Sequence, residues 1–360
     1  MQRRSFVQGA GIAGVLSAGV APALVHAQQE LRWRLTSGFP KSLDTIYGAA
    51  DVFAKQVADM TGGKFKITVH PAGEIVPMPG LVDAVQSGSV EMGHTAPYYY
   101  FGKDEAFVLG CTIPFGLNSR QMTAWTNSGN GLKLMRDFYR NYSIVNFPGG
   151  NTGAQMGGWF RKEIKTVADI KGLKMRIAGI AGRVFERLGA VSQSLPGGEI
   201  YQALEKGTID AAEWVGPYDD KKLGFNKVVK NYYYPGFWEG GAQIDFFINA
   251  KAYDALTPEY KAIVEAAAAV AHTTMQAKYD VLNPGALSEL VAGGVKLHKY
   301  SNDILKAAFK ETTDLYAEIS AKNPQFKKIY EDYAKFRKEQ HLWFKFAEAG
   351  FDDFMQSQRL

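Results

Sequence analysis

Cysteine is almost missing from this chain. Cys111 is the single thiol in 360 residues, so no disulfide can form within the chain and the fold must rest on its core. Set in the apolar run Phe107-Val108-Leu109-Gly110-Cys111-Thr112-Ile113, it reads as a small buried hydrophobe. The six histidines stand far apart, at positions 26, 70, 94, 272, 298 and 341, with no HExxH spacing and no cysteine companion, which argues against a zinc centre. Charge of one sign is never concentrated. The formal net charge is only +5, with Lys and Arg scattered among Asp and Glu, so there is no footprint for nucleic acid. No segment reaches the length and apolarity of a membrane span. A nucleophile elbow and the cysteine spacings of haem or iron–sulfur proteins are also missing. Gly9-Ala10-Gly11-Ile12-Ala13-Gly14 spells GxGxxG, but no strand precedes it, so the dinucleotide reading fails its context.

What is present is an ordinary globular composition, 46% hydrophobic and 21% charged, in a chain long enough for two domains that each bury a core. At the N-terminus, Arg3-Arg4-Ser5-Phe6-Val7 precedes a weakly apolar Gly/Ala stretch and the small-residue pattern Val25-His26-Ala27. This looks like a twin-arginine export signal over residues 1–27, to be removed in the periplasm.

Strand-like and helix-like segments then alternate, the mark of α/β layers. Leu31–Leu35 and Phe65–Val69 alternate as strands, Val90–His94 is a third, and a helix ends at Met60 before Thr61-Gly62-Gly63. A helix is expected from about Trp125 to Tyr139, followed by a strand over 144–147 and a crossing between domains at Pro148-Gly149-Gly150-Asn151. Thr166-Val167-Ala168-Asp169 has the form of a helix N-cap, and Leu173–Ile177 is a strand that carries Arg176. Gln243–Asn249 reads as a strand returning to the first domain, and Thr257-Pro258 opens a long helix with proline at its first position. Asn283-Pro284-Gly285 is expected to end that helix. A helical tail restarts at Asn323-Pro324 with Phe326, Ile329, Tyr330, Tyr333, Phe336, Trp343, Phe344, Phe346 and Phe351, apolar enough to need a partner surface from its own domain or a second subunit.

The chemistry concentrates in two reversed pairs, Glu213-Trp214 before Val215-Gly216-Pro217 and Trp238-Glu239 before Gly240-Gly241, with Arg176 as a lone strand arginine. Two carboxylates, two indoles and one guanidinium could enclose a small anion together with a cation. On the residues alone, Arg176 would read as a solvated strand residue like Lys174, and Glu213 as an exposed loop acid. Asp219-Asp220, followed by Lys221-Lys222, reads as a solvated helix start, and Tyr232-Tyr233-Tyr234 as packing. A strand over Tyr98–Phe101 would send successive aromatics to both faces, at least one of them into the core.

Three segments carry a resemblance: GGNTGAQMGGWFR at 149–161, GLKMRIAG at 172–179 and LEKGTIDAAEWVGPYDDKKLGF at 204–225. Together they resemble the solute-binding proteins of tripartite ATP-independent periplasmic (TRAP) transporters, over essentially the whole mature chain. They come nearest to the branch that binds pyruvate and related 2-oxo acids with a sodium ion. The resemblance implies a periplasmic-binding-protein-like clamshell of two α/β domains joined by hinge strands and a long bridging helix, with a C-terminal helical tail. Residues 28–150 with 240–282 would form the first domain, and 151–239 with 283–322 the second. Residues 323–360 would be a C-terminal helix exchanged in a homodimer. Carried onto this sequence, Arg176 would pair with the substrate carboxylate through two parallel donors. Gln155 would touch both substrate and metal. Glu213, Glu239 and the carbonyl of Trp214 would complete an oxygen shell for a hard cation. Asn151, Tyr99 and Tyr100 would hydrogen-bond or wall the ligand, and Phe39 and Trp214 would exclude water.

The reading is therefore a non-catalytic receptor that hands a small monocarboxylate to integral membrane permease subunits. The same fold binding lactate or another 2-hydroxy acid with calcium is the alternative, since simple electrostatics around two carboxylates favour the divalent ion. An exported enzyme or a ligand sensor for such acids are the rival classes.

Overall fold

The computed structural model describes residues 30–358; the export signal expected over 1–27 lies outside them. Among the described residues eleven strands form two sheets. The first contains β1 (Leu31–Ser37), β2 (Phe65–His70), β3 (Met92–Thr95) and β4 (Ile144–Asn151). The second contains β5 (Trp159–Phe160), β6 (Lys174–Arg176), β7 (Val191–Gln193), β8 (Ala211–Ala212) and β9 (Asn231–Tyr234). The chain then returns to the first sheet through β10 (Gln243–Asn249) and adds β11 (Lys296–Lys299) to the second. The orders are β2-β1-β3-β10-β4 and β11-β9-β5-β8-β6-β7.

β1 pairs in parallel with β2 and β3, whereas β10 runs antiparallel to both β3 and β4. Helices cover both faces of the first sheet, so Gln243 to Ile248 are all buried in β10, as expected of a strand with no solvent side. β4 leaves the first lobe where β10 enters it: Asn151 and Gln243 are partners in the register. The cleft is thus floored by two hydrogen-bonded crossing strands.

The helix Pro258–Ala292 does not stop at Asn283-Pro284-Gly285; it runs 35 residues with Pro284 inside, about 52 Å at ~1.5 Å per residue. Proline removes one backbone donor, but a tertiary bond, a bond within the helix and buried side chains hold the helix on either side of it. Asn283 Oδ1 accepts from the Tyr218 amide at 3.1 Å, Ser288 Oγ donates to the Pro284 carbonyl at 3.1 Å, and Ala286 and Leu290 are buried. The expected boundary at 282/283 therefore falls within one continuous helix. The helix expected through Trp125 to Tyr139 is instead two, Ser119–Ser128 and Gly131–Arg140. Gly129 breaks the helix with an extended backbone, φ −98° and ψ −154°, and the turn passes so close that a Cβ on Gly131 would lie 2.6 Å from the Trp125 ring. Thr166 and Asp169 form the expected capping box, although over a short 3₁₀ turn, Val167–Ile170.

Asp219 and Asp220 are not a solvated helix start; both are fully buried. Asp219 accepts from Thr45 Oγ1 at 2.5 Å and the Tyr279 hydroxyl at 2.6 Å. Asp220 accepts from Trp159 Nε1 at 2.8 Å, the Tyr232 hydroxyl at 2.7 Å and the Val215 amide at 3.2 Å. Burial nevertheless pushes their carboxyls up, to about 6 for Asp219 and about 7 for Asp220.

Asp245 on β10 is a third buried carboxyl, held by Asn146 Nδ2 at 2.9 Å and Gln243 Nε2 at 3.1 Å. Burial pushes it up from 3.8 to about 7. Between those values the folded chain binds more protons than the unfolded one, so stability falls as pH rises through the window. Asp245→Asn has nothing to ionise, and Asn146 Oδ1, buried without a partner, can turn to accept from the new amide. The variant is expected to match the parent near pH 4 and to be more stable at pH 8, by up to ~4 kcal/mol. Equal pH slopes in urea melts of the two proteins would contradict this.

Candidate functional site

Arg176 ends β6 with its guanidinium fully buried. Backbone carbonyls aim it: Nε donates to Leu195 O at 3.0 Å and Nη1 to Glu213 O at 2.9 Å. Nη1 also pairs with Glu213 Oε1. Burial alone would favour the neutral guanidine, but the Glu213 charge outweighs it and keeps Arg176 protonated. Nη2 has no partner. One arm of the fork is therefore fixed and the other is free, and leaving a buried donor unmet is costly.

Glu213 follows β8, next to the end of β6 in the same sheet. Its Oε2 is buried without a partner, as is Oε2 of Glu239. Glu239 is held well above the ordinary carboxylate range, first by burial and then by the charge of Glu213; Arg176 and the Tyr98 hydroxyl pull the other way. Burial raises Glu213 as well, against the pull of Arg176.

The crossing strands deliver the amide side chains. The Gln155 amide donates to Glu239 O at 3.1 Å and its Nε2 to Thr152 Oγ1 at 3.0 Å. Asn151 Oδ1 accepts from the Gly153 amide at 2.9 Å, while its Nδ2 is buried and unpartnered. Gly241 makes the close approach possible, since a Cβ there would lie 2.8 Å from Asn151 Oδ1.

Aromatic rings roof these groups. Trp214 stacks its indole 5.1 Å from the Arg176 guanidinium, and Phe39 from the first lobe meets both Trp214 and Tyr99 at 6.4 Å between centroids. Phe39, Tyr98, Tyr99, Gln155 and Trp214 line a small cavity of about 10 Å³, bounded at its apolar end by Ile46, Ala96, Ala242 and Ile244. Burial, opposed by Arg176, pushes the Tyr99 hydroxyl up to about 12, so it is a neutral donor.

Tyr100 is not brought to this cavity. Residues 97–100 form a 3₁₀ turn rather than a strand, and three residues per turn aim consecutive tyrosines in different directions. The Tyr100 hydroxyl meets Thr95 Oγ1 at 2.9 Å and donates to Met78 O at 3.2 Å. Its place on the cavity wall is taken by Tyr98, which the sequence reading missed together with Thr152. A run of three tyrosines has no period to show which ring faces the cleft, whereas Thr152 could have been suspected from its position inside the GGNTG turn.

A hard cation fits the donor set. Among the described residues no three His, Cys, Asp or Glu side chains come together as a metal cluster, but Glu213 and Glu239 each bury a carboxylate oxygen without a partner and are near enough for the charge of one to raise the other, with Gln155 bonded to the Glu239 carbonyl and Trp214 next in the chain to Glu213. All are oxygen donors, which suit sodium or calcium, and the bound solute would supply the rest of the shell.

Two lobes, a buried cleft and an unspent arginine define a receptor that encloses a small anionic solute. The chain belongs to the family described as bacterial extracellular solute-binding protein, family 7, whose match covers residues 36–323. It is a family of transport receptors, not enzymes. The chain is 48% identical, over 99% of its length and all of the relative's, to a monocarboxylate 2-oxoacid-binding periplasmic protein of Nostoc sp.. It also resembles a TRAP transporter solute-binding protein from Bordetella bronchiseptica, 49% identical with a TM-score of 0.90, covering 91% of this chain and 98% of that one. That structure is described as a mixed-occupancy dimer with copurified calcium and picolinate in one active site and the other apo. A TRAP periplasmic solute-binding protein from Pseudoalteromonas atlantica, with bound sodium and pyruvate, is 38% identical with a TM-score of 0.87, covering 92% of this chain and all of that one.

Proposed function

We propose that this protein is the periplasmic receptor of a TRAP transporter for 2-oxo monocarboxylates such as pyruvate, bound together with a cation. The observation that carries the reading is the fully buried Arg176, one arm committed to Glu213 and the other without a partner, beside two carboxylate oxygens also without partners. In this arrangement the solute carboxylate meets the free arm of Arg176, with Tyr99 and the Asn151 amide as further donors. Glu213, Glu239, Gln155 and the Trp214 carbonyl hold the cation, sodium in the first instance and calcium as the alternative. A 2-oxo acid offers two adjacent oxygens that can chelate the ion, and picolinate in the Bordetella relative offers a ring nitrogen beside its carboxylate in the same way. Phe39 and Trp214 keep water out.

Magnitudes favour such a charged site. Pyruvate has six heavy atoms, and a ceiling of ~1.5 kcal/mol per atom gives ~9 kcal/mol. Micromolar capture already needs ~8 kcal/mol. Apolar contact alone falls short, so aimed ionic contacts are required.

Delivery would be to membrane-embedded permease subunits, after export through the twin-arginine signal. Among the described residues no helix is long and apolar enough to cross a membrane. The tail supports a homodimer. Phe326, Ile329 and Tyr333 pack on their own chain, whereas Trp343, Phe346, Phe351 and Phe354 each expose more than half their surface.

Calorimetric titration of the mature protein with pyruvate, 2-oxobutyrate, lactate and succinate, each in sodium-free, sodium and calcium buffers, tests the reading. Cation-dependent binding of the 2-oxo acids is the expected result; preference for lactate or succinate, or indifference to the cation, would refute it. Sedimentation of the same samples should give a dimer mass, and a monomer mass would remove the role assigned to the tail.

A further inference from the structure

The rim of the cleft is fastened by polar contacts that lie outside the cavity. Asp44 and Thr45 sit on the first-lobe loop after β1. Tyr218, Asp219 and Lys222 belong to the helix Pro217–Leu223 of the second lobe, and Lys278 and Tyr279 are neighbours on the bridging helix. Thr45 reaches Asp219 across the cleft at 2.5 Å. Asp44 accepts from the Tyr218 hydroxyl at 3.2 Å and pairs with Lys222, both across the cleft. The bridging helix steadies both acids, with Lys278 Nζ 2.7 Å from Asp44 Oδ2 and the Tyr279 hydroxyl 2.6 Å from Asp219 Oδ2.

We propose that Asp44, Thr45 and Asp219 form an interlobe latch that sets the rate at which the closed receptor reopens and releases its solute, an inference that rests on the receptor reading above. Three of its contacts, Thr45 to Asp219, Asp44 to Tyr218 and Asp44 to Lys222, join opposite lobes and must break when the cleft opens. None of these residues lines the cavity, so they act on closure and not on recognition.

The latch is also built to open. The Asp44 side chain is 46% exposed, so water replaces its partners as the lobes part. Asp219 keeps the Tyr279 hydroxyl when Thr45 leaves, so opening strands no wholly unpaired buried acid. Partial burial works against the Asp44 charge, but Lys222 and Lys278 together hold its carboxyl down to about 2, and the ion pair persists across the neutral range. Because that half of the latch is exposed, salt screens it, whereas the buried Thr45–Asp219 bond is indifferent to salt.

The test measures release and association separately. Protein loaded with pyruvate and sodium is diluted into lactate dehydrogenase and NADH, which consume pyruvate as it leaves, and association is followed by tryptophan fluorescence in stopped flow. Asp44→Ala and Thr45→Val are each expected to speed release by about tenfold, with association changed by less than about twofold. Thr45→Val keeps the shape of a buried side chain and Asp44→Ala removes an exposed one, so both variants should fold. Added potassium chloride should speed release from the parent and from Thr45→Val but not from Asp44→Ala. Release unchanged in both variants overturns the latch. If the parent takes up no pyruvate with sodium or calcium, the receptor reading falls, and X-ray scattering of the unliganded proteins decides the latch by itself. A larger radius of gyration in both variants than in the parent upholds it, and equal radii overturn it.

Discussion

Arg176→Lys is expected to leave a folded protein that no longer retains pyruvate at micromolar concentration. The guanidinium makes three fixed contacts, to Leu195 O, Glu213 O and the Glu213 carboxylate, and keeps Nη2 unmet. An ammonium preserves the charge that Glu213 needs but has no second arm at the required angle, so it satisfies Glu213 or the solute and not both. Arg176→Ala should be worse for the protein itself, because it strands Glu213 as an unpaired buried acid at a cost of ~3–5 kcal/mol. The same magnitude on the solute side weakens binding by about two to three and a half orders. Calorimetry of the lysine variant with thermal melting of both variants checks this. Near-native pyruvate affinity in Arg176→Lys would mean that another group receives the carboxylate.

Glu239→Gln is expected to remove the cation requirement along with most of the cation affinity, at least about 100-fold. The variant imitates the protonated acid, the form that burial and Glu213 favour in the cation-free protein. In the parent, a cation must displace that proton, because a metal ligand has to be ionised. The sign follows directly. Since Glu239 titrates well above its ordinary range, lowering pH fills it with a proton and weakens cation binding, while raising pH strengthens it. Isotherms taken in two buffers of different ionisation enthalpy should show about one proton released per cation in the parent and none in Glu239→Gln. Proton release that persists in the variant would move the titrating group elsewhere.

The strands could be read locally because local rules decide them. The alternation in Leu31–Leu35 and Phe65–Val69 is a burial pattern, and the Thr257 N-cap with Pro258 at the first helical position is a local start signal. The family segments carried Arg176 and Glu213, which the residues alone would have left solvated, and the same resemblance assigned Glu239 in its Trp-Glu-Gly-Gly turn. Pro284 misled because its effect depends on packing at Ala286 and Leu290 and on Asn283 bound to Tyr218, none of which is visible in a neighbouring residue. Asp219 and Asp220 misled for the same reason: their partners Thr45, Tyr279, Trp159 and Tyr232 come from four distant segments. Tyr98 rather than Tyr100 lines the cavity because residues 97–100 form a 3₁₀ turn and not a strand, which a run of three tyrosines does not reveal.

The lone thiol of Cys111 is sealed in the core, and burial raises its pKa well above 9. Almost no thiolate forms near neutral pH, and the thiolate is the species that attacks oxidants and mixed disulfides. The protein therefore has the same covalent structure in a reducing cytosol as in an oxidising envelope. Its maturation needs no disulfide catalyst, and swings in redox poise outside the cell leave the receptor untouched.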